Sequence, residues 1–407
     1  MAFQQGLSGL NAASKALDVI SNNVSNASNV GFKQSNAQFS DVYAAALNGA
    51  AAGVQIGIGT AVAAVTQQFT QGNITPTDNP LDVAINGAGF FRMSNEGSLV
   101  YTRNGQFEID KSGYIVNAQG YKLTGYPADA LGNILPATPQ PLYVDTADLL
   151  PQETAKVEMG LNLDSTKDPI AAPFDVNDPT TYNSSTSVSI YDSLGNSHIL
   201  TMYFAKTASA TWNMYTQLDG GATTANGTLA FDTAGQLTSG MPITLNGLAV
   251  TTGAQSPMGG AGGVQLDMTG STQYGSSFSV NRQVQDGYAS GRLSGITIGS
   301  DGTVQGRYSN GQSRNLGQIV LANFANANGL ISLGNNNWAE SPDSGQPLVG
   351  APNTGSMGKL QAGAVEESNV DLTAELVNMI TQQRNYQANA QSIKTQDQVM
   401  QTLVNLR

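Results

Sequence analysis

Apolar positions along the chain follow two rhythms. From residue 2 to 27 they step by three and four, at Leu10, Ala13, Leu17, Ile20, Val24 and Ala27. This is the heptad spacing of a helix that packs on another helix. Lys15 and Asp18 are the only charges in that stretch, and Asn22, Asn23, Asn26 and Asn29 then lead into Gly31. Asn and Gly favour helix exits, so the helix is expected to end there. The same step returns from 371 to 406, at Leu376, Met379, Tyr386, Ala390, Ile393, Met400 and Val404, interrupted by Gln383 and Asp397. No Pro or Gly occurs between Asp371 and Arg407. Asp371 and Glu375 near the start and Arg407 at the end suit the helix dipole. At 1.5 Å per residue this second helix would be about 52 Å long.

Between the helices the period falls to two. Val188 and Ile190, then His198, Leu200, Met202 and Phe204, alternate as half-buried strands do. Turns are marked at Asp110 to Gly113, Asp192 to Gly195, Asp232 to Gly235, Asp301-Gly302 and Asn310-Gly311. The segment 145–284 is richest in Ser, Thr and Gly, with a loop from Asp164 to Ser185 and a glycine run at 259–263.

The expected fold is therefore mainly β with α-helical termini. The two helices pair as an antiparallel coiled coil, a discontinuous β-domain lies between them, and a β-barrel-like domain is inserted into it. By residue, 1–30 is the first helix and 31–70 a connecting segment. The middle β-domain is split into 71–144 and 285–363, the insertion is 145–284, and 364–407 is the second helix. A chain of 407 residues exceeds what one hydrophobic core usually serves.

Each helix carries more apolar surface than one partner covers: Leu7 and Val19 on the first, Val377, Ile380, Val399, Leu403 and Leu406 on the second. Such a helix is buried by several neighbours or spans a membrane. Its Gln content and charges argue against a span, which leaves other copies of the same chain as the neighbours. The competing expectation is that both helices simply pack on the β-domain core.

Charged residues make up only 11% of the chain and the net charge is −12. That balance argues against nucleic acid, which needs a cationic footprint, and against anionic membrane. There is no Cys, which excludes disulfides and thiolate chemistry. The opening MAFQQGLSGL has neither the basic nor the long apolar region of a cleavable secretory signal.

Candidate chemistry is sparse. The only histidine, His198, lies in an expected strand without obvious partners for a triad or a metal, and reads as a strand residue. The Asp-bearing turns lack the pattern of a calcium loop. Gly57-Ile58-Gly59 and Gly87-Ala88-Gly89 lack the third glycine of a dinucleotide loop and read as tight turns. Tyr182, Tyr191, Trp212 and Trp338 could platform a sugar, but aromatic residues more often fill cores. No catalytic, cofactor or metal site is expected, and an enzyme is poorly supported.

Ser8-Gly-Leu-Asn-Ala-Ala-Ser, continuing through Ser21-Asn-Asn-Val-Ser-Asn-Ala-Ser-Asn-Val-Gly-Phe-Lys33, resembles the N-terminal signature of flagellar rod and hook proteins. Asn369-Val-Asp-Leu-Thr-Ala-Glu-Leu376 and Gln383-Arg-Asn-Tyr-Gln-Ala-Asn389 resemble the matching C-terminal signature. Asp82 to Phe91 and Tyr101-Thr-Arg-Asn-Gly-Gln-Phe107 are similar to that family's β-domain. The length, the segment Val188 to Phe204 and Gly287-Tyr-Ala-Ser-Gly-Arg-Leu293 favour the hook branch. The resemblance implies a structural subunit that polymerises into a flexible, curved tube, a universal joint between rod and filament. The implied partners are further copies of the chain, the rod, hook cap and hook–filament junction proteins, and the flagellar type III export apparatus. The implied place is outside the cell, in the hook. The residues expected to pack the polymer core are Leu10, Leu17, Ile20, Val24, Leu376, Met379, Tyr386, Ile393, Met400 and Val404. A distal rod protein and an extracellular β-rich adhesin are the alternatives.

Overall fold

The computed structural model describes residues 2–42, 57 and 59–405. The chain forms two compact units. The first is Met1–Asp145, Gly295–Arg307 and Ser313–Arg407; the second is Thr146–Ser294 and Tyr308–Gln312.

In the first unit, helix α1 spans Ala2–Ser25 and helix α2 spans Leu372–Asn405. The first ends where the asparagines begin: the amide N–H groups of Asn26, Ala27 and Asn29 close short turns on Asn22, Asn23, Val24 and Asn26. The second starts at Asp371, whose Oδ1 accepts from the N–H groups of Thr373 and Ala374 and caps the first turn. A two-stranded antiparallel ribbon follows α1. Its strands are β1, Ser35–Val42, and β2, Gly59–Gln67, paired from Ser35 with Gln67 to Val42 with Gly59.

Most of the remaining strands of this unit build an antiparallel sheet, while Val83–Asn86 pairs with Lys359–Ala362 and Ile74–Pro76 with Ala364–Glu366. Ser313–Ile319, Lys122–Pro127, Phe90–Asn95, Ser98–Thr102, Asn337–Ala339 and Ile331–Gly334 lie side by side in that order. Phe90, Tyr101, Ala322, Phe324 and Trp338 are buried together beneath it. Phe69 closes this cluster edge-on, with its ring 5.4 Å from both Phe90 and Trp338. Trp338 is thus a core residue, and its indole N–H donates to Gln67 Oε1 at 2.6 Å. That bond removes the cost of a dry donor.

The second unit is a two-layer β-structure. Ser184–Tyr191, Ser197–Ala208, Thr211–Leu218 and Thr223–Ala230 form an antiparallel meander. The other sheet is centred on Lys156–Asp164, which pairs parallel with Val264–Asp267 and Thr272–Tyr274 and antiparallel with Ser279–Gln285. The period-two pattern explains the core. Trp212, Met214 and Leu218 alternate with half-buried neighbours and meet Val157, Met159, Leu161 and Leu163 from the other sheet.

Several of the turns share one construction. In Asp110-Lys-Ser-Gly-Tyr114 the Asp110 Oδ1 accepts from the N–H groups of Ser112 and Tyr114, and Gly113 N–H donates to Asp110 O. The fourth position must turn left-handed, and Gly113 has φ of 86°. Asp192 to Asn196 and Asp232 to Gln236 repeat it. So do Asn117 to Tyr121 and Asp129 to Asn133, where the sequence reading marked no turn.

The candidate assembly elements

The two helices pair antiparallel, and they do so through small residues. A Cβ built on Gly6 would lie 2.9 Å from Ile393 Cγ1, and one on Gly9 would lie 2.9 Å from the Asn389 side-chain amide. Ala13, Ala16 and Ile20 are buried along the same face of α1. Leu10, Leu17 and Val24 are half-buried, as are Met379 and Ile393 on α2. Leu376, Tyr386, Met400 and Val404 remain exposed in the single chain, at 48, 37, 61 and 71%. Large heptad residues such as Leu10, Leu17, Val24, Met379 and Ile393 are thus half-buried at the helix pair, whereas Tyr386, expected beside them, stays exposed. Glycines on α1 draw the helices so close that Asn389 and Ile393 fill the gap.

The outer apolar residues are open. Val377, Ile380 and Val399 are more than half exposed and Leu7 nearly so, while Val19 is half-buried. Leu406 and the side chain of Leu403 lie outside the described residues. The ribbon is open on both faces, with Phe39, Val62 and Val65 exposed.

The roots of the helices are stitched to the β-structure by polar side chains. Asn23, 1% exposed, uses both ends of its amide on one residue: Oδ1 accepts from Ser35 N–H at 2.9 Å and Nδ2 donates to Ser35 O at 2.8 Å. Asn369 accepts from Gln34 N–H and donates to Gln68 O at the base of the ribbon, both at 2.8 Å. The Gln34 side chain in turn donates to Glu375 in the first turn of α2.

Beneath them lies a dry ionic cluster. Glu366 and Lys33 are fully buried and Arg103 is 3% exposed. Lys33 Nζ meets Glu366 Oε1 at 2.6 Å, and Arg103 Nη1 meets Oε2 at 3.1 Å. Gly72 N–H also donates to Oε1, Lys33 to Thr70 O and Arg103 Nη2 to Gly87 O. Burial pulls the pKa of both cations below their ordinary values, and the Glu366 carboxylate opposes that pull. Gly31 lets the chain enter here: its N–H donates to Glu366 O, and its φ of 71° sets it against the backbone of Arg103 and Asn104. The residues of the N-terminal signature thus gather at one junction. Its partner Glu366 carries no local sequence signal.

In the second unit His198 does have partners, contrary to the sequence reading. It is buried in its strand, with Nδ1 2.6 Å from Asp219 Oδ2 and Nε2 3.2 Å from Asp192 Oδ2. Burial alone would lower the His198 pKa, but the two carboxylates outweigh it and hold it above its ordinary value. Asp192 is driven well below the usual carboxylate range: burial opposes this, but hydrogen bonds from Thr252, Asn196 and His198 prevail. This network pins the Asp192 turn to neighbouring strands. Gly87-Ala88-Gly89 forms a turn between strands with both glycines at positive φ, and Ile58 lies outside the described residues. Trp212 is buried in the core, and Tyr182 and Tyr191 are half-buried.

Family models match four successive segments. Residues 3–33 match flagella basal body rod protein, and 84–163 match the flagellar hook protein FlgE/F/G D1 domain. Residues 162–288 match the flagellar basal body protein FlaE D2 domain, and 361–406 the flagellar basal body rod FlgEFG protein C-terminal region. The flagellar hook protein FlgE of Salmonella typhimurium is 45% identical over 420 residues, covering all of both chains. That of Escherichia coli is 44% identical over 416 residues, again covering all of both. The crystal structure of Helicobacter pylori flagellar hook protein FlgE2 covers 72% of this chain and all of its own, with a TM-score of 0.54 at 15% identity, a likeness of fold. Paired terminal helices around β-units, matched end to end at this identity, place the chain in the flagellar hook protein family, whose members are structural proteins of the bacterial flagellum.

Proposed function

We propose that this chain polymerises through its terminal helices and its ribbon into the curved, flexible tube of the flagellar hook, a universal joint between rod and filament. The observation that carries this reading is apolar surface left open on fully formed elements. Val377, Ile380 and Val399 on α2 and Phe39, Val62 and Val65 on the ribbon all face solvent. A two-stranded ribbon is marginal by itself and needs a surface to pack on. Fully burying one such side chain contributes about 1.5–3 kcal/mol, so covering the open half of each contributes about 1 kcal/mol.

The polymer core would be packed by Leu10, Leu17, Ile20, Val24, Leu376, Met379, Tyr386, Ile393, Met400 and Val404. The four of these that are exposed on α2 would be covered by neighbouring copies. The β-units would form outer layers whose contacts re-form as the hook bends, for which sparse charge is suited, because ion pairs cost desolvation each time they are remade. The chain would leave the cell through the flagellar type III export apparatus and meet the rod, the hook cap and the hook–filament junction proteins.

The test is the double substitution Val377→Asp with Ile380→Asp, on the face of α2 turned away from α1. The variant should keep its β-structure and α1–α2 pair but stay monomeric in sedimentation and electron micrographs, where the parent chain forms curved tubes. Normal tubes from the variant would overturn the reading, and straight polymers from the parent would favour a rod protein.

A further inference from the structure

Lys33, Arg103 and Glu366 come from three distant parts of the chain. Lys33 lies just beyond α1, Glu366 six residues before α2, and Arg103 in the β-structure between them. Their meeting point is dry: none is more than 3% exposed. Two cations share one carboxylate, and each oxygen of that carboxylate serves a different cation, Oε1 for Lys33 and Oε2 for Arg103. The excess positive charge is spread over neutral acceptors, Thr70 O and Gly87 O. These contacts draw in the base of the ribbon and the turn after Val83–Asn86.

We propose that Glu366 is the positioning residue of the terminal helix pair, its single carboxylate fixing the roots of α1 and α2 onto the β-structure so that the two helices can dock. The three members are unequal in consequence. Neutralising Lys33 leaves a balanced Arg103–Glu366 pair, still met by Gly72 N–H. Neutralising Glu366 leaves two cations side by side without a counter-charge, the costliest way to break a buried ion pair. Because both cations depend on the same anion, removing Lys33 as well should relieve part of the damage. A residue that merely fills space would behave in the opposite way, since two truncations at one site enlarge the defect.

The experiment compares Glu366→Gln, Lys33→Met and the double variant in the full-length chain. Amide hydrogen exchange across α1 and α2 is read alongside the critical concentration for polymerisation. Glu366→Gln should accelerate exchange in both helices at least tenfold and raise the critical concentration at least tenfold. Lys33→Met should change either by less than threefold, and the double variant should fall between them. Should Glu366→Gln fail to fold, the comparison rests on Glu366→Asp, which keeps the charge on a shorter arm, with and without Lys33→Met. There Lys33→Met alone should remain the milder change. A double variant worse than Glu366→Gln, or Lys33→Met as harmful as Glu366→Gln, would overturn the proposal. It rests on the assembly reading only through the second measurement. Helix exchange that follows this order without any polymer forming would refute the assembly reading and leave the role of Glu366 standing.

Discussion

Asn23 offers a direct test of how α1 is held. Its amide ties the end of α1 to the first residue of β1, satisfying both the N–H and the C=O of Ser35. In Asn23→Ala both backbone groups lose their partners at a site where Ser35 is half-buried. Each such group costs about 1–3 kcal/mol when fully dry, so about 1–1.5 kcal/mol each is expected here. Alanine returns about 0.5 kcal/mol through its better helix propensity. The net loss is about 2 kcal/mol, or about a 30-fold shift in the docking equilibrium of α1. Asn23→Asp is isosteric and still accepts from Ser35 N–H, but it sets a carboxylate oxygen against Ser35 O. It should cost at least as much as alanine. Amide exchange in the second half of α1 measures this directly, with the amides of Thr211–Leu218 in the other unit as an unaffected reference. An acceleration below threefold in both variants would refute the reasoning.

Two further outcomes are expected. His198 has a raised pKa in the folded second unit. The stability it contributes is complete below about pH 6.5, the unfolded histidine value, and is lost as pH rises through the higher folded value. The melting transition of that unit should therefore fall in temperature above about pH 6.5, and His198→Gln should flatten the profile; an unchanged slope in the variant would refute the link. Gly195→Ala and Gly311→Ala both force a left-handed alanine, at φ of 83° and 81°. That conformation costs about 1–2 kcal/mol. Only Gly195 has a neighbour in the way, Pro151 Cβ at 2.7 Å from the new methyl. Thermal denaturation should show the larger loss at Gly195, and equal losses would contradict the packing argument.

The sequence by itself determined what local chemistry governs. The three-four step placed helices at both ends, because a helix must gather its apolar side chains on one stripe. Alternation placed strands such as Ser197–Ala208. Asp110, Asp192 and Asp232 announced turns because a short acceptor at the first position and a glycine at the fourth satisfy the backbone without help from elsewhere. The Asp129 turn obeys the same rule, so the signal was there although the sequence reading passed over it. The N-terminal signature was visible as asparagines and Lys33, but not what those residues hold. Asn23 finds Ser35 across the helix exit, while Lys33 finds Glu366 from 333 positions away. His198 likewise acquired Asp219 only when two strands came into register, Leu200 opposite Leu218. Within the helix seam Tyr386 was misplaced for the same kind of reason. A heptad ranks large apolar residues first, but how closely two helices approach depends on which residues face each other at the crossing. Here those are Gly6 and Gly9, whose missing side chains let Ile393 and Asn389 in. Period and turn chemistry act over a few residues and can be read along the chain. Charge pairing, amide stitching and close helix approach act across space, and only the tertiary structure selects the partners.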